Sequence, residues 1–158
     1  MSLSDGPNAA GATEWTGRVL VALQFGLLAL LGWRAWVSPA AAAGQVVALL
    51  AASALLALWA LSANRPGNFN IRPTPRPEGS LITSGPYRWI RHPMYTAVLL
   101  AAAAAAWKTF EAADALLWLA LLGVLLAKAA IEERALMRRF PQYQAYRMRT
   151  TRLVPWLV

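Results

Sequence analysis

The residues able to do chemistry gather in two places in this 158-residue chain. The first is the stretch 79–95, which holds the only histidine, His92, together with Tyr87, Arg88, Trp89, Arg91, Tyr95 and the prolines Pro86 and Pro93. Pro93 suits the first position of a helix, where its missing N–H has no intrahelical partner to lose and its fixed φ fits. A helix starting there directs free amides and a positive dipole end at an anion, with Arg91 and His92 at the same point. The second place is 128–133. Lys128 lies in an apolar run, where a cation is costly unless it snorkels, pairs or lines a wet cavity. Glu132, one helical turn later, is its natural partner. Glu133 falls about 100° further round, so the two carboxylates do not face one pocket in the same way.

Much familiar chemistry is absent from this inventory. There is no cysteine, hence no disulfide, thiolate ligand or thiol nucleophile. No glycine-rich dinucleotide fingerprint, phosphate loop or pair of histidines for a metal occurs. One histidine leaves no spare general base. The chemistry that fits uses a highly reactive cofactor and asks the protein mainly for binding and alignment.

The elements that must position these residues are apolar. With 58% hydrophobic residues and a mean hydropathy of +0.43, the chain reads as a membrane protein. Apolar runs cover 18–37, 45–62, 94–107 and 112–131. The first, second and fourth are near the ~20 residues needed to cross the hydrocarbon. The third is shorter, so it begins within the headgroup region or sits against protein. Residues 1–14 are expected to form a flexible tail, 18–62 and 93–131 two antiparallel helical hairpins, and 63–92 a proline-rich surface loop. Trp15, Trp33 and Trp36 mark the ends of the first run, with Arg34 snorkelling outward. After Ile131 the pattern becomes an amphipathic extension of the fourth helix, and the tail to 158 is expected to return to the interface through Tyr143, Tyr146, Met148, Leu153 and Trp156. The fold expected is therefore all-α: one polytopic membrane domain with about four transmembrane helices and a cytoplasmic amphipathic C-terminal helix.

Fifteen basic residues against seven acidic ones concentrate in two blocks, 65–91 and 134–152. Apolar runs flank both blocks, which points to a membrane surface and not to nucleic acid. The positive-inside rule then puts both termini and the 63–92 loop in the cytoplasm.

The run Gly85, Pro86, Tyr87, Arg88, then Arg91, His92, Pro93, Met94, Tyr95, followed one apolar hairpin later by Glu132, Glu133, Leu136, Phe140, Tyr143, Tyr146, Arg152 and Pro155, resembles the isoprenylcysteine carboxyl methyltransferase and phospholipid methyltransferase families of integral-membrane enzymes. The resemblance spans roughly 64–155 and implies S-adenosylmethionine as methyl donor, bound on the cytoplasmic side without a Rossmann domain. By position it implies a cofactor site at Leu81, Ile82, Tyr87, Arg91, His92, Pro93, Met94, Tyr95 and Glu132. Lys128 stands where isoprenylcysteine members usually carry an arginine toward the acceptor, and Glu133 is expected on the same substrate side. No metal is implied. The expected activity is methyl transfer to a lipophilic acceptor, a carboxylate or thiol of an isoprenylcysteine-like or other small hydrophobic molecule. A phospholipid amine N-methyltransferase is the nearest alternative. A non-enzymatic membrane protein that binds anionic lipid or a partner through its basic loops is the alternative of another class.

Overall fold

The computed structural model describes residues 7–40, 44–64 and 80–154. The helices are α1 (Pro7–Val37), α2 (Gly44–Ala63), α3 (Pro93–Thr109), α4 (Ala112–Arg139) and α5 (Tyr143–Met148), with a 3₁₀ turn at Gly85–Arg88. Among the described residues the only β pairing is a single parallel bridge, Ile90 to Thr151. The architecture is all-helical. Segment Glu14–Val37 of α1, α2 and α4 are long and apolar enough to cross a membrane, which makes this a multi-pass membrane protein. The loop prolines Pro66, Pro73, Pro75 and Pro77, and Trp156 of the tail, lie outside the described residues.

The shortest of the long helices is the centre of the bundle. α3 packs against α1, α2 and α4, and α1 also runs along α4. Its alanine run, Ala101 to Ala106, lets neighbouring backbones approach closely, the device by which helices associate where lipid removes the hydrophobic drive. Ser53 of α2 donates to the Ala97 carbonyl at 2.7 Å across this contact. The shortness of α3 is thus met by protein around it. The hairpin expected of the first two runs is not a packed pair: α1 and α2 each pack on α3 and have little contact with one another. Leu31, Leu99, Ala102, Leu121, Leu125 and Leu153 form the buried core. Large outward side chains such as Leu55, Leu58 and Leu116 remain exposed, as lipid-facing residues must.

Helix ends follow local chemistry. Pro93 opens α3, as its sequence position indicates. α4 runs through the apolar stretch and its amphipathic extension and stops at Phe140, whose extended backbone is the conformation Pro141 imposes on its predecessor. Residues 7–13, read as tail, belong to α1, where Pro7 starts the helix and alanines favour it.

At the end of the bundle away from His92, Arg34 does not snorkel outward. It is drawn in to Asp114, at 2.5 Å from Nε and 3.2 Å from Nη2, and reaches Glu111 at 2.6 Å. Asp114 is fully buried, and an unpaired carboxylate there is far costlier than an immobilised arginine. Lys108 donates to the Ala35 carbonyl at 2.7 Å, so the end of α1 is clasped to the α3–α4 turn. Exposed Trp33, Trp36, Trp107 and Phe110 surround this clasp as an interfacial belt.

Candidate active site

The segment before α3 is shaped by one glycine. Gly85 has φ +59°, and a Cβ on it would lie 2.5 Å from the Ala63 Cβ at the end of α2. Only glycine gives both that backbone and that approach. The 3₁₀ turn that follows carries Tyr87, whose carbonyl accepts from the Tyr146 hydroxyl at 2.7 Å. Burial pushes the Tyr87 hydroxyl up to about 12, with a hydrogen bond to the Asn64 side chain opposing and the charge of Glu132 reinforcing the shift. Leu81 and Ile82 are half-buried just ahead of the turn.

From Trp89 to His92 the chain is strapped to the C-terminal segment. Thr151 N–H donates to the Trp89 carbonyl at 3.0 Å, Arg91 N–H to Thr151 at 2.9 Å, and His92 N–H to Arg152 at 3.1 Å. Thr96 adds a bond from its hydroxyl to the Leu153 carbonyl at 2.6 Å. Tyr143, Tyr146 and Leu153 are buried beneath this strap, whereas Met148 is exposed. The tail therefore returns onto the protein.

His92 lies between the two carboxylates of α4. Its Nδ1 is 3.2 Å from Glu132 and its Nε2 3.4 Å from Glu133, and its ring stacks on Tyr95 with 5.2 Å between centroids. The Nε2 contact is an ion-pair distance without hydrogen-bond alignment, leaving that buried nitrogen short of a formal partner, as is the Tyr143 hydroxyl. Burial alone would lower the His92 pKa. The interactions with Glu132 and Glu133 outweigh it, so the pKa is raised and the imidazolium is favoured.

The two glutamates part company. Glu133, with a side chain only 3% exposed, accepts from Arg91 Nε at 2.8 Å and from Arg152 Nε and Nη2 at 3.1 and 2.9 Å. Arg91 also donates to the Thr150 carbonyl and, at 3.2 Å, to that of Arg147. Arg91 and Glu133 thus tie the strap to α4. Glu132 keeps 18% exposure and accepts the Tyr95 hydroxyl at 2.6 Å.

Lys128 departs from its expected partner as well. Its side chain is buried, and Nζ donates to the Gln24 amide oxygen of α1 at 2.5 Å, over the Tyr95 ring at 5.2 Å from its centroid. Glu132, though one turn away on the same helix, is engaged with Tyr95 and His92 instead.

The sequence-predicted residues His92, Tyr95, Glu132, Glu133, Arg91 and Lys128 therefore form one continuous polar network running from the start of α3 into the bundle. Pro93 is buried and Met94 half-buried in the first turn of α3, where the Met94 amide has no intrahelical partner. Sequence reasoning gave no site role to Gln24 or Arg152. Gln24 is signalled by being the one amide inside the first apolar run, and Arg152 by its place in the motif run that follows Glu133.

The arrangement can accommodate a zwitterionic, cationic cofactor. Glu132 retains lone pairs and an opening to solvent, Tyr87 offers an aromatic face, and the first turn of α3 offers an amide.

A family model described as the isoprenylcysteine carboxyl methyltransferase family matches residues 45–138. That span takes in all but the first residue of α2, the whole of α3 and all but the last residue of α4, together with the whole His92–Glu132–Glu133 cluster, and leaves α1 and the C-terminal strap outside. No curated protein and no solved structure matches the chain. With more than half of its length matched and the motif residues gathered at one site, the chain belongs to the isoprenylcysteine carboxyl methyltransferase family.

Proposed function

We propose that this protein transfers a methyl group from S-adenosylmethionine to the carboxylate or thiol of an isoprenylcysteine-like or other small hydrophobic molecule. Family membership carries the general activity, S-adenosylmethionine-dependent methylation of a lipophilic substrate. The observation that supports the finer reading is the pairing of a partly open carboxylate, Glu132, with a buried ammonium, Lys128, on opposite sides of Tyr95's contacts. In this reading the chain offers Glu132 to a ribose hydroxyl or the ammonium of the cofactor, Tyr87 to its cationic centre, and the start of α3 to its carboxylate. Leu81, Ile82, Met94 and Tyr95 complete the wall. His92 holds Glu132 in place, and Arg91 holds the strap. When bound, the cofactor supplies an electrophilic methyl group, so the acceptor needs alignment and desolvation more than activation.

An amine acceptor is disfavoured because it must first lose a proton. Glu133 is tied to two arginines, and Glu132 is committed in this reading to Tyr95, His92 and the cofactor, so neither glutamate of the network is left over as a base. The reading puts four helices across the bilayer, with α3 as the protein-encased fourth, and places the strap, α5 and both termini on the cytoplasmic side with the arginine-rich segments. The polar cofactor enters from the cytosol and the acceptor sideways from the bilayer. An activity screen of purified protein in bilayers, across prenylcysteine carboxylates, prenylated thiols and phosphatidylethanolamine, tests it. The expected result is methylation of the carboxylate or thiol; phosphatidylethanolamine as the best acceptor would overturn this choice.

A further inference from the structure

Lys128 is 1% exposed and Gln24 is 7% exposed, both within the apolar parts of their helices. A buried ammonium ordinarily sits against a carboxylate. Here the hydrogen-bond acceptor is a neutral amide at 2.5 Å, and the other close contact is the Tyr95 ring face. Among the described carboxylates Glu132 acts on the ammonium through its charge alone, its hydrogen bond being given to Tyr95. The network runs straight on to the candidate cofactor site, because the Tyr95 hydroxyl is bonded to Glu132 at 2.6 Å. A ligand group held at Lys128 would therefore lie one tyrosine away from Glu132.

Taking Lys128 as the acceptor contact that the family resemblance implies, we propose that Gln24 of α1 is a specificity-determining residue for an anionic head group. The proposal rests on the reading of the protein as a methyltransferase with a lipophilic acceptor. Gln24 comes from α1, which lies outside the 45–138 match, so the family match assigns it no role. The amide does two things that no charged or apolar side chain does at once. Its oxygen fixes the ammonium beside Tyr95 without neutralising it, and its two N–H donors suit an incoming carboxylate oxygen. A glutamate in its place would close the ion pair internally and turn an anionic head away. An apolar residue would leave the ammonium unplaced.

Equilibrium binding of S-farnesyl-N-acetylcysteine and of its neutral carboxamide, to detergent-solubilised full-length protein, tests this alongside S-adenosylmethionine affinity in the same samples. Wild type is expected to prefer the carboxylate. Gln24→Glu should reduce that preference by about tenfold, the loss of roughly 1.4 kcal/mol of discrimination, with cofactor affinity unchanged. Gln24→Met should reduce it by a smaller factor and serves if the glutamate variant does not fold. Equal binding of the two ligands by wild type would overturn the proposal, as would an unaltered preference in the folded variants or a parallel loss of cofactor affinity. Wild type that binds no cofactor would instead overturn the methyltransferase reading, so the two failures are distinguishable.

Discussion

Glu132 and Glu133 are neighbours in sequence but should respond to the same substitution in opposite ways. Glu133→Gln replaces a carboxylate that accepts three bonds from two guanidiniums and faces His92 at 3.4 Å. The Arg91 side chain is only 8% exposed, so it cannot recover its partner from water. Breaking such a buried pair costs about 3–5 kcal/mol, because the remaining charge is left uncompensated. For a chain of this size that corresponds to a fall on the order of 10 °C in melting temperature. Glu132→Gln keeps an acceptor for the Tyr95 hydroxyl and removes a partly exposed charge, so its stability cost should be about 1 kcal/mol. Its effect should appear in cofactor affinity, with a loss of about tenfold. Thermal unfolding in detergent, paired with calorimetric titration of S-adenosylmethionine, reads both quantities on each variant. Equal melting temperatures for the two variants, or a larger loss of affinity in a fully stable Glu133→Gln, would refute the division of roles.

The imidazolium of His92 stabilises the fold only while protonated. Its folded pKa is raised, so its contribution is fully present below the unfolded value of about 6.5 and is lost as pH rises through the folded value. The melting temperature of wild type should accordingly drop with rising pH above that point more than that of His92→Asn, which a pH series of melts would show. Gly85→Ala should cost about 1 kcal/mol for the positive φ alone, and more from the 2.5 Å approach to Ala63. Adding Ala63→Gly should recover the steric part and not the backbone part, as measured by unfolding of single and double variants. Asp114→Asn should destabilise the fold through loss of the Arg34 clasp, read as a lower melting temperature. Cofactor affinity should stay unchanged in that variant, since the clasp sits at the other end of the bundle.

The sequence makes the long apolar helices and the Pro93 helix start readable because both depend on local properties, run length and the missing proline N–H. The convergence of His92 with Glu132 and Glu133 was readable through the motif. The partner each charge would take was not. Helical spacing pointed Lys128 to Glu132, but the actual acceptor, Gln24, is 104 positions away on another helix. Nothing local tells that Arg152 and Arg91 converge on Glu133 once the tail folds back. The return of that tail depends on burying Tyr143, Tyr146 and Leu153, which in sequence are indistinguishable from an interfacial anchor. Arg34 misled in the same way, since a basic residue near the end of an apolar run is compatible with snorkelling until the burial of Asp114 decides otherwise.

The network at the start of α3 should bind S-adenosylmethionine as the cofactor site of a methyltransferase. Isothermal titration of the purified wild-type protein with S-adenosylmethionine, in detergent and in bilayers, addresses it most directly. Saturable binding at one site per chain is expected, weakened about tenfold by Glu132→Gln. Absence of binding in both media, from protein that unfolds cooperatively, would contradict it.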